Sequence, residues 1–208
     1  MTHDEWSELL HELSRACLAS IPRDSDPSPF GFGLQQLIDR YPQEPISNVA
    51  REVLARRAGY LGLPPATPAQ IAREEQRLGI QLPVQYRCFL EVSNGFLLPG
   101  GAITSYLPIE QVEPLKTNYL EVAEFWRTMM DGLEEEVPDL LESRLDSTLQ
   151  ISGPPNDRWD FIILDDRPES EGAELSMFNL GHNGPSDPIG MDALVRNALA
   201  YWQWKISA

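Results

Sequence analysis

Apolar residues recur at helical spacing near both ends of the chain. Residues 4–20 place five of them on one face, namely Trp6, Leu9, Leu10, Leu13 and Cys17. Residues 191–206 do the same with Leu194, Val195, Ala198, Leu199 and Trp202. Each pattern predicts an amphipathic helix that buries one side. Further helices are predicted over residues 34–40, 47–60 and 115–130.

Capping residues indicate two consecutive helices between residues 67 and 95. Thr67 and Gln70 form a capping box around Pro68 at the first helical position, and Gly79 suits the end of that helix. Pro83 is predicted at the first position of the second helix. The apolar stripe of this helix consists of Tyr86, Phe89 and Leu90. Asn94-Gly95 ends it, because both residues tolerate left-handed backbone.

Short apolar runs between glycine, proline and aspartate clusters predict strands. They cover residues 96–98, 102–107, 149–152, 160–164 and 175–180. Helices at both ends of a set of strands indicate an α+β fold. The Gly62-Leu63-Pro64-Pro65 turn divides the chain into an N-terminal helical extension, residues 1–64, and a main domain, residues 65–208, on which the extension is expected to pack.

Charge narrows the possible partners. The chain has 32 acidic and 16 basic residues, so its formal net charge is −16, and residues 67–208 carry −13 of it. A nucleic-acid binder needs a basic surface, and so does a protein that docks on anionic lipid. The charge therefore argues against nucleic acid and membrane as partners and favours a basic protein. No apolar run approaches the ~20 residues of a membrane span.

Residues that could carry catalysis are scarce. The histidines, His3, His11 and His182, lack the spacing of metal ligands, and no nucleophile motif accompanies them. No phosphate-binding loop or dinucleotide motif appears. The two cysteines, Cys17 and Cys88, lie among apolar residues and are expected to be buried free thiols, which suits the cytoplasm. The sequence thus predicts no metal and no cofactor, and the remaining catalytic alternative is an enzyme that uses acidic residues alone.

The candidate binding residues are acidic and surround one apolar strand. Carboxylates and a tryptophan bracket residues 161–164: Asp157, Trp159, Asp160, Asp165, Asp166 and Glu169. One interpretation is an inner strand whose ends are solvated. The other is an acidic surface that receives arginine and lysine from a partner, with Trp159 as its anchor. Glu134, Glu135 and Glu136 form a second acidic group, either a solvated face or a further part of that surface.

Residues 65–95 resemble the opening of the SUKH superfamily, the Smi/Knr-like group. The family pattern has an apolar residue, a glutamate, Leu-Gly, Leu-Pro, a tyrosine, Phe-Leu and Asn-Gly in that order. The corresponding positions here are Ile71, Glu75, Leu78-Gly79, Leu82-Pro83, Tyr86, Phe89-Leu90 and Asn94-Gly95. The resemblance implies a central, mostly antiparallel sheet flanked by helices. It identifies a scaffold and names no active site.

The resemblance also implies a non-enzymatic binding protein. Bacterial members of the superfamily are similar to immunity proteins, which neutralise a cognate secreted toxin, and fungal relatives to regulatory adaptors. The first hypothesis is an immunity protein, a monomer or weak dimer, that occludes the active site of the toxin. An acidic inhibitor can mimic phosphate in the basic cleft of a nuclease-like toxin. The second hypothesis is an intracellular adaptor whose N-terminal helices dock an endogenous protein.

Overall fold

The structure, a computed structural model, describes residues 1–20, 39, 53–98, 105–114, 149–152, 161–164, 177–181, 184–185 and 190–207. These residues form helices and antiparallel strands, which is compatible with the predicted α+β class. The helices are α1 (His3–Ala19), α2 (Pro68–Leu78), α3 (Val84–Val92) and α4 (Met191–Ser207), with a 3-10 turn at Ile109–Gln111. Residues 53–58 are also helical.

Reciprocal side-chain caps start two of these helices. The predicted box of α2 is present: Thr67 Oγ1 accepts from the Gln70 N–H at 3.2 Å, and Gln70 Oε1 accepts from the Thr67 N–H at 2.9 Å. A second box starts α1, where Thr2 and Glu5 make the same pair of hydrogen bonds. Each box satisfies backbone donors that a helix leaves without partners in its first turn.

Two helix ends differ from the prediction. Pro83 precedes α3 instead of starting it, because its backbone is extended, with φ −56° and ψ 146°. The helix predicted to reach Tyr60 ends at Ala58, since Gly59 takes a left-handed φ of 72°. The helices predicted over residues 34–40 and 115–130 lie outside the described residues, except for Asp39, which is helical.

The strands form one antiparallel ladder in chain order. They are β1 (Glu113–Pro114), β2 (Leu149–Gln150), β3 (Phe161–Leu164), β4 (Met177–Gly181) and β5 (Gly184–Pro185). β3 pairs with β4 along its whole length, from Phe161 opposite Leu180 to Leu164 opposite Met177. The pattern predicts β2, β3 and β4. It misses the two-residue strands β1 and β5, each of which contains a proline.

Of the strands predicted over residues 96–98 and 102–107, the described residues form single bridges. Phe96 pairs with Gly62 on one side and Tyr106 on the other, and Tyr106 pairs in turn with Ser152. Next to these bridges, the Leu98 N–H donates to the Ser105 hydroxyl at 2.9 Å. Residues 99–104 lie outside the described part of the chain.

One hydrophobic core contains residues from both ends and the middle of the chain. Among its fully buried large side chains are Trp6, Leu10, Leu13, Tyr86, Phe89, Leu90, Tyr106 and Trp202. The five apolar positions predicted for α1 are all buried, and those of α4 are buried except the half-buried Leu194. The division of the chain at residues 64 and 65 stays a prediction.

The helices α1 and α4 lie side by side, and α1 also packs on α3. Arg196 donates to the Met1 thioether at 3.9 Å, and Gln203 donates to Glu12 Oε1 at 3.0 Å. These contacts follow the same order along both helices, so α1 and α4 run parallel. α2 instead packs on α3 and on the 3-10 turn.

Candidate partner-binding surfaces

The residues predicted to bind a partner lie outside the described part of the chain. They are Asp157, Trp159, Asp160, Asp165, Asp166 and Glu169, together with Glu134, Glu135 and Glu136. The strand that the first group brackets is described: β3 lies between β2 and β4. It is therefore an inner strand, and a partner-binding role for its flanking carboxylates stays a prediction.

Glu75, the glutamate of the SUKH-like pattern, holds the turn between α2 and α3. Its carboxylate accepts from the Leu82 N–H at 2.9 Å and from the Arg87 guanidinium. Gly79 makes the turn possible with a φ of 72°. Glu75 therefore connects the end of α2, the loop and α3, and its role in the described contacts is structural.

The Asn94-Gly95 pair fastens the next segment of chain onto the end of α3. Asn94 Oδ1 accepts from the Ile109 N–H at 2.8 Å, and Asn94 Nδ2 donates to Glu110 Oε2 at 2.9 Å. Gly95 has a φ of 98°, and a Cβ there would lie 2.9 Å from the Pro108 nitrogen. The turn thus accepts no side chain at Gly95 and does more than end a helix.

A charged cluster joins α2 to β1. Glu74 is buried and accepts from Arg73 at 2.9 Å and from Arg77 at 2.6 Å. Arg77 also donates to the Val112 carbonyl at 2.6 Å and to Glu113 at 2.8 Å. The hydrogen bonds from Arg77 and Arg73 lower the pKa of Glu74. These charges pair with one another, so the cluster is a structural connection.

The described residues offer little for catalysis or metal binding. Cys17 is buried, and burial raises the pKa of its thiol to about 12, which keeps it protonated and unreactive. Cys88 is half-buried, and both cysteines are free. Within the described ranges, no group of three or more His, Cys, Asp or Glu side chains is placed to hold a metal ion. No described helix is long and apolar enough to cross a membrane.

An exposed tryptophan on α4 was not among the predicted binding residues. Trp204 exposes 64% of its surface and Ile206 47%, whereas Trp202 is buried. Two residues correspond to roughly 200° around a helix, so the periodicity that places Trp202 in the core points Trp204 away from it. That signal was present in the sequence and could have identified Trp204 as a surface residue.

Comparison with known proteins identifies the scaffold. Residues 65–189 match the model of the SMI1 / KNR4 family (SUKH-1). No individual curated protein gives a significant match. The matched segment spans more than half of the chain and contains α2, α3 and the five strands, whereas α1 and α4 lie outside it. It confirms the resemblance seen in the helix pair, and the chain belongs to the SMI1 / KNR4 family (SUKH-1).

Proposed function

We propose that this protein is an immunity protein, which binds a cognate secreted toxin and occludes its active site without catalysing a reaction. The observation that carries the proposal is membership of the SUKH-1 family over residues 65–189. The superfamily includes immunity proteins, and its shared scaffold accommodates different partners by variation of the binding surface.

The contacts of the family-pattern residues give those residues a structural role. Glu75 is occupied by Leu82 and Arg87, and Asn94 is occupied by Ile109 and Glu110. Side chains held in this way stabilise the scaffold. We therefore place recognition on surfaces outside the family pattern.

We propose that the toxin contacts the acidic residues that flank β3. The net charge of −13 over residues 67–208 supports this choice, because a negative surface accelerates association with a basic, nuclease-like domain. The proposed contact residues are Asp157, Trp159, Asp160, Asp165, Asp166 and Glu169, extended by Glu134, Glu135 and Glu136. We also propose that the sheet is central and flanked by helices. The protein is proposed to act in the cytoplasm.

Coexpression tests the function directly. The toxin domain encoded beside this gene is produced alone or with the protein, and survival and complex formation are measured. The proposal expects rescue together with a stable complex. Absence of both would contradict it, and a stable endogenous partner in place of a toxin would favour the adaptor hypothesis.

A matched pair of variants tests the binding surface. D165N/D166N removes two negative charges beside β3, and Q76K/Q81K adds two positive charges at exposed positions in and after α2. Both variants raise the net charge by two. The proposal expects slower association with the toxin domain for D165N/D166N alone. Equal slowing in both variants would mean that only the overall charge matters, and that the surface is misplaced.

A further inference from the structure

We propose that Asn94 is a latent deamidation site, which the fold protects and which becomes reactive when the turn after α3 opens. Asn94 is followed by Gly95, and asparagine is most reactive before glycine, because no side chain hinders attack by the glycine backbone nitrogen. The product carries a carboxylate beside Glu110 and is expected to refold less well. Deamidation therefore turns a reversible opening into an irreversible loss of the fold, whatever partner the protein binds.

The reaction needs only these two residues and water. The Gly95 backbone nitrogen loses its proton to solvent and attacks the side-chain carbonyl carbon of Asn94. A new C–N bond closes a succinimide ring, and the side-chain nitrogen takes up a proton and leaves as ammonia. Water then adds to either ring carbonyl and breaks its bond to nitrogen, which gives aspartate or isoaspartate at position 94. The net change replaces an amide NH2 by OH and needs no oxidant or reductant.

In the fold, both reacting groups are held by hydrogen bonds. Asn94 is buried, its Oδ1 accepts from the Ile109 N–H at 2.8 Å, and its Nδ2 donates to Glu110 Oε2 at 2.9 Å. The Gly95 N–H donates to the Ser93 carbonyl at 2.8 Å. The amide group of Asn94 therefore cannot turn to a new position without breaking two hydrogen bonds, and the attacking nitrogen is held in a third.

The backbone around the turn resists local opening. The Asn94 N–H donates to the Pro64 carbonyl at 3.3 Å, and the Gly95 carbonyl accepts from the Leu63 N–H at 3.1 Å. The next residue, Phe96, is fully buried. These contacts tie the turn to the segment before α2 and to the hydrophobic core. We therefore expect deamidation to follow unfolding of the core rather than fluctuation of the turn alone.

Deamidation reverses the interaction between position 94 and Glu110. An oxygen replaces Asn94 Nδ2, so two carboxylates face each other where a hydrogen bond was, and like charges at this distance repel. Glu110 also accepts from Gln70 Nε2 at 3.1 Å, which connects it to the capping box of α2. Isoaspartate adds a carbon to the main chain before Gly95, where even a Cβ would lie 2.9 Å from the Pro108 nitrogen. Both products should therefore destabilise the fold.

Incubation in mildly alkaline buffer, with and without denaturing urea, tests the protection. Peptide mapping by mass spectrometry follows deamidation at each Asn-Gly pair. In urea, Asn94-Gly95 should react about as fast as Asn183-Gly184, which is the sequence-matched control in the unfolded chain. In buffer, deamidation of Asn94 should be about 100-fold slower or more, since unfolding of a small domain has an equilibrium constant on the order of 10⁻³ or less. Comparable rates at Asn94 in buffer and in urea overturn the proposal.

Three variants test the consequence of the reaction. N94D introduces the aspartate product directly and should unfold at a lower urea concentration than the wild type. N94D/E110Q should recover most of that shift, because the new amide nitrogen can donate to the carboxylate while the amide oxygen still accepts from Gln70. N197D makes the same change at an exposed position on α4 and should unfold like the wild type.

The rescue keeps the test decisive where N94D alone fails to fold. Folding of N94D/E110Q would then support the proposed repulsion, provided that E110Q alone is no more stable than the wild type. Wild-type stability of N94D, or a loss that N94D/E110Q does not recover, overturns the role of Glu110 and with it the irreversible step.

Discussion

The indole N–H of Trp6 donates a hydrogen bond to Gln85 Oε1 at 3.2 Å, across 79 positions of sequence. Gln85 lies in α3, inside the family-matched segment, whereas Trp6 lies in α1, outside it. The same oxygen accepts from the Met1 ammonium group at 2.8 Å. The Trp6 ring also meets Phe89 edge-on, with centroids 5.7 Å apart. The N-terminal helix therefore shares its core with the SUKH-1 helix pair.

This shared core predicts that W6A destabilises the whole protein. Truncation of a buried tryptophan costs about 3–5 kcal/mol. This is a large part of the free energy of unfolding of a typical native protein, which is about 5–15 kcal/mol. W204A is a matched control, because it removes the same side chain from an exposed position and should cost about 0.5 kcal/mol or less. Urea unfolding measures both. Equal costs would show that α1 does not contribute to the cooperative core.

Two glycines with left-handed backbone should differ in their tolerance of alanine. A Cβ at Gly79 meets nothing within 4 Å, so G79A carries only the backbone cost, about 1–2 kcal/mol. A Cβ at Gly95 would lie 2.9 Å from backbone atoms of Tyr106 and Pro108, so G95A must also displace that segment. Denaturant unfolding should show a clearly larger loss for G95A. Similar losses would contradict the close packing of the Asn94-Gly95 turn.

The lowered pKa of Glu74 predicts that part of the stability of the fold is lost in acid. Its pKa is lowered by hydrogen bonds from Arg77 and Arg73, relative to the ordinary value of about 4.3. The folded state therefore holds this proton less tightly than the unfolded state. The stabilisation is fully present above about pH 4.3 and is lost as the pH falls from there through the lowered pKa.

The variant E74Q isolates that component. It should lower the free energy of unfolding at pH 7 by about 1–3 kcal/mol, since it removes hydrogen bonds to a charged group. The difference from the wild type should shrink as the pH falls below about 4.3. Unfolding of E74Q and of the wild type is measured across this range. A pH-independent difference for E74Q would contradict the assigned role.

Local signals in the sequence were sufficient for much of the fold. The capping box at Thr67 and Gln70 and the buried stripe of α1 follow from spacing within a few residues, and the structure contains both. By contrast, β1 and β5 are two residues long and exist through their pairing with β2 and β4. Non-local pairing of this kind leaves no periodic pattern in a short proline-containing segment.

The site was harder to predict than the fold. Glu75 and Asn94 could be recognised as pattern residues, but their partners, Arg87 and Ile109, lie 12 and 15 positions away and are set by tertiary packing. Trp204 follows the buried Trp202 by two positions in the sequence. Its exposure follows from the packing of Trp202 in the core, which turns Trp204 towards the opposite side of α4.

The two cysteines should differ in reactivity. Cys17 is fully buried, and burial raises the pKa of its thiol to about 12, so the thiol stays protonated and unreactive in the folded protein. Cys88 is half-buried on α3 and can meet the reagent in the folded protein. A thiol-specific reagent should therefore react with the native wild type in two phases. The fast phase is modification of Cys88, and the slow phase is modification of Cys17 at the rate of unfolding.

Single substitutions assign the two phases of that reaction. C88A should remove the fast phase and leave a thiol that reacts only as denaturant opens the core, whereas C17A should retain the fast phase. The free energy of unfolding of C17A is measured in parallel, because loss of a buried side chain can open the core. Fast modification of C88A at full stability would mean that Cys17 is accessible, and that the α1–α4 contact opens in the native protein.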